Sequence, residues 1–344
     1  MKKIKFGIVG TSGISEKIIA AAKQDTRFIL SAVYSRNLER AKNFAIKHNI
    51  PHFFTSLEEM AKSNVIDAVY IASPNSLHAR QAILFMENGK HVLCEKPMAS
   101  NAKEVRKMIE SSQKNRVTLM EAMMPTLKPG FKTIKDFITE IGKIRHYFAC
   151  YCQYSSRYDD LKAGIVQNAF KPELSNGAVI DIGIYTIYPM VVLFGKPQNI
   201  NAAGLLLETG VDGQGTVNFE YNDMTATIMY SKIVDSSLFS EIQGEDGSII
   251  IDKINNISSV TLKLRNGNIK IMNFRQGDKN LNLINNFKND YYYEIAEFID
   301  LVNSGKIESE VNSHHNSLVT IEIIDEIRKQ IGVFYPVDSS VGNS

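Results

Sequence analysis

The chain reads as an α/β protein: a doubly wound parallel sheet at the N-terminus, then a second α/β domain with a large, open, mostly antiparallel sheet. Three observations predict this. Over the first 124 residues, short β-branched apolar runs alternate with segments of helical period, the rhythm of buried strands covered by crossover helices. A Gly-rich turn joins the first run to the first helical segment. From residue 199 onward, strands follow one another with turn signals and few helices between them, which implies an antiparallel sheet covered on one face. Residues 1–124 are therefore assigned to the first domain, 125–336 to the second, and 337–344 to a loose polar tail. Two domains also suit 344 residues at roughly 150 residues each.

In the first domain the expected strands are 4–9, 28–34, 65–72, 91–94 and 117–121. The expected helices are 15–23, 38–48, 57–62, 76–88 and 102–114; Asn75 or Ser76 can cap the fourth, Gly89 ends it, and Ser100 or Asn101 can cap the fifth. The second domain opens with a helix at 131–140, a long strand at 143–154, a polar loop over 155–176 and an apolar helix at 179–194. Turn signals at Asn222-Asp223, Gly244-Glu245-Asp246-Gly247 and Asn266-Gly267 divide the strands of 199–274, and helices at 291–303 and 317–331 close the chain. The outer sheet face, expected to carry Ile228, Tyr230, Leu262 and Leu264, needs cover. A second copy of the chain is the expected partner, giving a homo-oligomer, dimer or tetramer, built through the sheet.

Charge and composition narrow the function. With 39 Lys+Arg against 37 Asp+Glu, the net charge is too balanced for an electrostatic grip on nucleic acid. No stretch is expected to reach the ~18 apolar residues of a membrane span; the longest candidate, 178–194, carries Asp181 and Pro189. Cys94, Cys150 and Cys152 cannot make a paired framework, so reduced thiols and a cytoplasmic location are expected. No metal is expected: Cys150 and Cys152 share a strand face, but no second ligand pair has zinc-like spacing.

The Gly-rich turn runs Gly7-Ile8-Val9-Gly10-Thr11-Ser12-Gly13-Ile14-Ser15, between strand and helix. Glycines there let backbone N–H groups approach a pyrophosphate at a helix N-terminus. Gly10, Thr11, Ser12, Gly13 and Ile14 are therefore candidate dinucleotide contacts, although Ser12 stands where a second glycine is usual. A ribose 2′-hydroxyl is normally read by Asp or Glu about 20 residues further on. Here the second strand ends Val33-Tyr34-Ser35-Arg36-Asn37, with Arg40 a turn later and no carboxylate before Glu39. Hydroxyl and guanidinium suit a 2′-phosphate, so NADP is favoured, with NAD still possible, and Ser35, Arg36 and Arg40 are its readers. Ser73, Pro74, Asn75 and His78, then Glu95 and Lys96, lie at the carboxyl ends of later strands, the edge where open α/β sheets bind ligands. They complete the cofactor candidates.

The order of Gly-rich turn, Ser73-Pro74-Asn75-Ser76-Leu77-His78, Glu95-Lys96-Pro97 and Asp181-Ile182-Gly183-Ile184-Tyr185 resembles the glucose–fructose oxidoreductase / inositol dehydrogenase / MocA (Gfo/Idh/MocA) family over about residues 1–335. The resemblance implies a Rossmann domain, a C-terminal domain whose sheet makes subunit contacts, and hydride transfer between a nicotinamide cofactor and sugars or cyclitols. The family's catalytic lysine maps to Lys96 and its aspartate to Asp181. Many members carry His four residues after that aspartate. Tyr185 in this place, with 93–98 and 119–122, is similar to the branch holding glucose–fructose oxidoreductase, dimeric dihydrodiol dehydrogenase and NADP-dependent xylose dehydrogenase. Where that branch commonly has aromatic residues, this chain has Met123-Met124-Pro125-Thr126.

The expected chemistry follows. Tyr185 is the general acid/base, Lys96 holds the substrate oxygen and favours phenolate, and Asp181 orients the substrate or the lysine. Arg157, Tyr158, Asp159 and Phe170, in or beside the polar loop, are candidate substrate contacts. Two alternatives remain: a sugar oxidoreductase that never releases its NADP, and a catalytically silent NADP-sensing regulator.

Overall fold

The structure, a computed structural model, describes residues 2–274 and 288–339. The chain forms two compact units: Met1–Met124 with Lys288–Leu318, and Pro125–Phe287 with Val319–Ser344. The second domain was expected to be continuous over 125–336; instead, 288–318 group with the first unit.

The first unit is built on a six-stranded parallel sheet in the order β3-β2-β1-β4-β5-β6. Its strands are β1 (Ile4–Val9), β2 (Phe28–Tyr34), β3 (His52–Phe54), β4 (Ala68–Ile71), β5 (His91–Glu95) and β6 (Leu119–Ala122). Helices α1 (Gly13–Ala22), α2 (Leu38–His48), α3 (Leu57–Lys62), α4 (His78–Glu87) and α5 (Ala102–Asn115) connect them. Asn37, Ser56 and Asn101 cap α2, α3 and α5 by accepting backbone N–H bonds from Arg40, Glu59 and Glu104. The fourth helix has no such cap: Asn75–Leu77 is a separate 3₁₀ turn before α4. Strand β3, His52-Phe53-Phe54, escaped the sequence reading because two apolar residues at a mostly exposed sheet edge are too short a run to mark a strand.

Helix α9 (Tyr292–Ser304) explains the return of 288–318 to this unit. Its apolar face holds the fully buried Ile295, Phe298 and Ile299, and the Phe298 ring lies 5.7 Å from that of Phe6 in β1. Helical period shows that such a face exists, not which sheet it covers.

The second unit carries an eight-stranded sheet in the order β14-β13-β12-β11-β7-β10-β9-β8. After α6 (Pro129–Ile138) come β7 (Ile144–Cys152), α7 (Ser156–Lys162) and α8 (Ile184–Phe194). The strands β8 (Asn199–Leu206), β9 (Asp212–Glu220), β10 (Thr225–Ser231), β11 (Ser240–Gly244), β12 (Gly247–Ile251), β13 (Ser259–Leu264) and β14 (Ile269–Asn273) follow. Pairing is antiparallel throughout except for β7 with β10. The loop expected over 155–176 contains α7, capped by Ser155, and two 3₁₀ turns.

Three expectations need correcting in this unit. Ile228, Tyr230 and Leu262 are fully buried inside it, and Leu264 is half-buried. The opposite face at mid-sheet carries Asn218, Thr227, Phe148 and Glu241, in register with one another. The error is one of parity: a single-residue offset exchanges the two faces of a strand. Next, the run Pro172–Phe194 is long and apolar enough to cross a membrane, contrary to expectation. Most of it is buried within the unit, where α8 packs on β7 and β10. Finally, 337–339 are tied down rather than loose. They fall in α11 (Pro336–Ser339), whose Asp338 accepts bonds from Arg328 of α10 (His314–Ile331) and from the Tyr335 N–H. The rest of the expected tail, 340–344, lies outside the described residues.

Candidate active site

The Gly-rich turn has the shape an anionic ligand needs. Gly10 adopts φ +109°, and a Cβ there would lie 2.8 Å from the Ala72 carbonyl oxygen, so only glycine lets this turn approach the end of β4. The Ser15 hydroxyl donates to the Gly10 carbonyl and pins the turn to α1. Ser12 is the N-cap but makes no side-chain cap, and nothing lies within 4 Å of a Cβ at Gly13. The first N–H groups of α1 are therefore approachable beside Thr11 and Ile14, as pyrophosphate binding requires. At the end of β2, Ser35 is half-buried and Arg36 and Arg40 are exposed; the Arg40 N–H bonds to Asn37 while its guanidinium stays on the surface. These residues fit a dinucleotide with a 2′-phosphate.

The other strand ends are held by buried polar groups. His78 is buried: Nδ1 lies 2.8 Å from the Pro97 carbonyl and Nε2 2.8 Å from the Ser73 carbonyl. Burial pushes its pKa down against the pull of these two carbonyls, and a neutral ring donates to only one of them. The Ser73 hydroxyl donates to Gln81, while Pro74 leads directly into the turn begun by Asn75. Glu95 takes the hydroxyl of the fully buried Tyr70, and its Oε2 accepts the Lys96 N–H at 3.2 Å. The Lys96–Pro97 peptide is cis. Lys96 itself is half-buried. Glu294 of α9 is completely buried with neither oxygen hydrogen-bonded, and burial followed by the Glu95 charge pushes its pKa well up.

In the second unit, Asp181 lies in a π-helical turn, Val179–Gly183, that runs into α8 and Tyr185. Such turns are rare and recur at functional sites. The buried Asp212 fixes the start of this segment, accepting the Ala178 and Val179 N–H groups at 2.9 and 2.7 Å. Gly177, at φ +153°, makes that contact possible, since a Cβ would meet Asp212 Oδ1 at 2.3 Å. Burial pushes the Asp212 carboxyl up to about 6 against the pull of these N–H bonds and of Lys232. Tyr185 is half-buried, its ring edge-on to Tyr151 at 5.6 Å.

Lys232 is the candidate site residue that sequence reasoning missed. Its side chain is 3% exposed, and Nζ lies 2.8 Å from Oδ2 of Asp181, whose own side chain is 34% exposed. Nζ also donates to the Ala169 carbonyl and sits 5.0 Å from the centroid of the Phe170 ring. Asp181 and Phe170, expected separately as catalytic and substrate residues, thus meet through one buried ammonium. The available signal was a lone lysine directly after an apolar strand. The remaining substrate candidates are dispersed: Arg157 is exposed, Tyr158 packs near Phe170, and Asp159 is paired with Lys162 and the Tyr154 hydroxyl. Cys150 and Cys152 bring their sulfurs to 3.8 Å, and no metal-binding group occurs among the described residues.

Comparison with known proteins agrees with this layout. Residues 4–123 match the Gfo/Idh/MocA oxidoreductase family, NAD-binding Rossmann fold, and residues 131–250 match the GFO/IDH/MocA C-terminal domain. The chain is 49% identical over 337 residues to scyllo-inositol 2-dehydrogenase (NADP(+)) IolU of Bacillus subtilis, covering 98% of this chain and 100% of that protein. It is 32% identical over 342 residues to trans-1,2-dihydrobenzene-1,2-diol dehydrogenase of Xenopus laevis, covering 96% and 99%. Among solved structures, KijD10, a 3-ketoreductase from Actinomadura kijaniata in complex with NADP and TDP-benzene, shares the fold with a TM-score of 0.80 at 20% identity, covering 97% of this chain and 99% of that one. With its parallel nucleotide-binding sheet, its open second sheet and matches in both halves, the chain belongs to the Gfo/Idh/MocA family of oxidoreductases.

Proposed function

We propose that this protein is an NADP-dependent dehydrogenase that oxidises one secondary hydroxyl of a cyclic polyol of the inositol type. One observation carries the reading: the end-to-end similarity to a scyllo-inositol dehydrogenase that uses NADP(+). Ser35, Arg36 and Arg40 support the cofactor choice, because the end of β2 offers a hydroxyl and two cations and no carboxylate before Glu39.

When bound, NADP+ supplies the hydride acceptor. The Gly10–Ile14 turn and the start of α1 would hold its pyrophosphate, and Arg36 its 2′-phosphate. Tyr185 takes the proton of the reacting hydroxyl through its phenolic oxygen and returns it in the reducing direction. Lys96 donates to the same substrate oxygen, favours phenolate and stabilises developing negative charge. Asp181, held by Lys232, accepts a hydrogen bond from a neighbouring ring hydroxyl and so sets which carbon reacts. Phe170 is fully buried against the Lys232 ammonium and so supports that carboxylate from behind; Tyr158, half-buried and packed on Phe170, keeps some aromatic surface suited to the C–H face of a ring whose hydroxyls are equatorial. We further infer a cytoplasmic homo-oligomer associating through the mixed open face of the second sheet.

The test is an NADPH-absorbance assay with NADP+ and NAD+ in parallel against scyllo- and myo-inositol, aldoses and trans-dihydrodiols. Turnover of an inositol with preference for NADP+ is expected. No turnover of any of these substrates with either cofactor would overturn the reading.

A further inference from the structure

The turn carrying Lys96 is gripped at three consecutive residues. Glu95 Oε2 accepts the Lys96 N–H at 3.2 Å, His78 Nδ1 meets the Pro97 carbonyl at 2.8 Å, and Glu121 Oε1 accepts the Met98 N–H at 2.9 Å. Cys94 adds a fourth hold, its thiol donating to the Met98 carbonyl at 3.6 Å. These anchors come from β5, α4 and β6, so the turn is determined from three directions.

Glu121 is the unexpected member. It lies in the otherwise apolar strand Leu119-Met120-Glu121-Ala122, opposite Cys94 in the sheet, and is fully buried. One oxygen, Oε2, has no hydrogen-bond partner among the described residues. A buried polar group in this state is expensive to keep, and a neutral amide could accept the same Met98 N–H at smaller cost. A carboxylate, however, also presents negative charge to the Lys96 ammonium.

We propose that Glu121 is a positioning residue for Lys96, its ionised carboxylate holding the 96–98 turn and the lysine in the arrangement that catalysis uses. This rests on the reading of Lys96 as a catalytic residue. The surroundings define how the carboxyl titrates. Burial pushes its pKa up to about 7; the Ser317 hydroxyl from α10 and the Met98 N–H pull it down, Glu95 pushes it up, and Lys96 pulls it down. Cys94, beside it, is held as the neutral thiol by burial and by the Glu121 charge. His78 touches the same turn through Pro97 and is kept neutral by burial. The arrangement therefore loosens as pH falls through about 7 and Glu121 takes up its proton.

The experiment compares wild type, E121Q and S317A with the substrate found above. E121Q should lower kcat by about tenfold to a hundredfold with the KM for NADP unchanged, and should flatten the acid limb of the kcat–pH profile. E121D, which keeps the charge, should retain a limb. S317A removes a bond to the ionised carboxyl and should move the limb to higher pH, so it carries the test if E121Q folds poorly. A second reading needs no turnover: the ¹⁵N–¹H signal of the Met98 amide should titrate in wild type and stay flat in E121Q. A Met98 amide that does not titrate, or an acid limb unmoved in both E121Q and S317A, overturns the proposal. A titrating amide in a protein that turns over no polyol instead counts against the functional reading alone.

Discussion

The two units hold their candidate catalytic groups by one device with the signs exchanged. In the first, a half-buried lysine, Lys96, stands on a turn anchored by the buried carboxyl of Glu121 and by Glu95. In the second, a partly exposed carboxylate, Asp181, is anchored by the buried ammonium of Lys232. The difference lies in compensation. Lys232 has a carboxylate, a carbonyl and an aromatic face around its ammonium. Glu121 and Glu294 keep buried oxygens without hydrogen-bond partners among the described residues. Burial without such compensation pushes both carboxyls up, Glu121 to about 7, so that its charge depends on pH near neutrality.

The largest test of the comparison removes the proposed proton carrier itself. Y185F should cut kcat by about 10³-fold while NADPH affinity stays within error. Because the chain contains no tryptophan, affinity is best followed by NADPH fluorescence. Unchanged kcat would remove Tyr185 from the mechanism. Next comes the second unit's anchor. K232M should reduce kcat/KM by about 10²-fold, mainly through KM for the polyol, because Asp181 and the Ala169–Phe170 turn lose their common tie. If K232M affected Tm but left KM untouched, Lys232 would be a packing residue only.

A smaller, more selective effect is expected at the cofactor. R36A should weaken NADP binding about 10- to 100-fold, the worth of one or two charge-assisted hydrogen bonds, and leave NAD binding nearly unchanged. Equal losses for both would break the 2′-phosphate assignment.

The smallest effect is on stability. The folded state holds the Glu121 proton more tightly than the unfolded chain, whose carboxyl titrates near 4.5. Stability is therefore lost as pH rises from about 4.5 toward about 7, and the loss is complete above that range. E121Q carries no such penalty. Its Tm should overtake that of wild type between pH 5 and 8 by a few degrees, corresponding to at most about 3 kcal/mol. A variant more stable than wild type yet slower would separate positioning from packing, and thermal melts across pH against the kcat series would show it.

Most of the first unit was legible because its information is local. The Gly10–Gly13 turn, the missing carboxylate after β2 and Glu95-Lys96-Pro97 are contiguous strings whose meaning depends on a strand before and a helix after them. The same holds for Asp181 and Tyr185, one helical turn apart. What escaped depends on partners distant in sequence. Lys232 is 51 positions from Asp181 and Met98 is 23 from Glu121, and no periodicity links such pairs. Strand parity at Ile228 and Tyr230 failed for a related reason, since alternation gives two faces without saying which one the helices cover.

Taken alone, the amino-acid order determined the alternation of strands and helices and the strand–turn–helix of the Gly-rich segment, because short-range sterics and hydrogen bonding write these into neighbouring residues. Tertiary structure decided that 288–318 return to the first unit, that both ring nitrogens of His78 meet backbone carbonyls, that Lys232 pairs with Asp181 and that Glu121 accepts the Met98 N–H. Burial and charge compensation are properties of the surroundings a residue acquires on folding, and those surroundings come from parts of the chain it cannot meet until the sheets have formed.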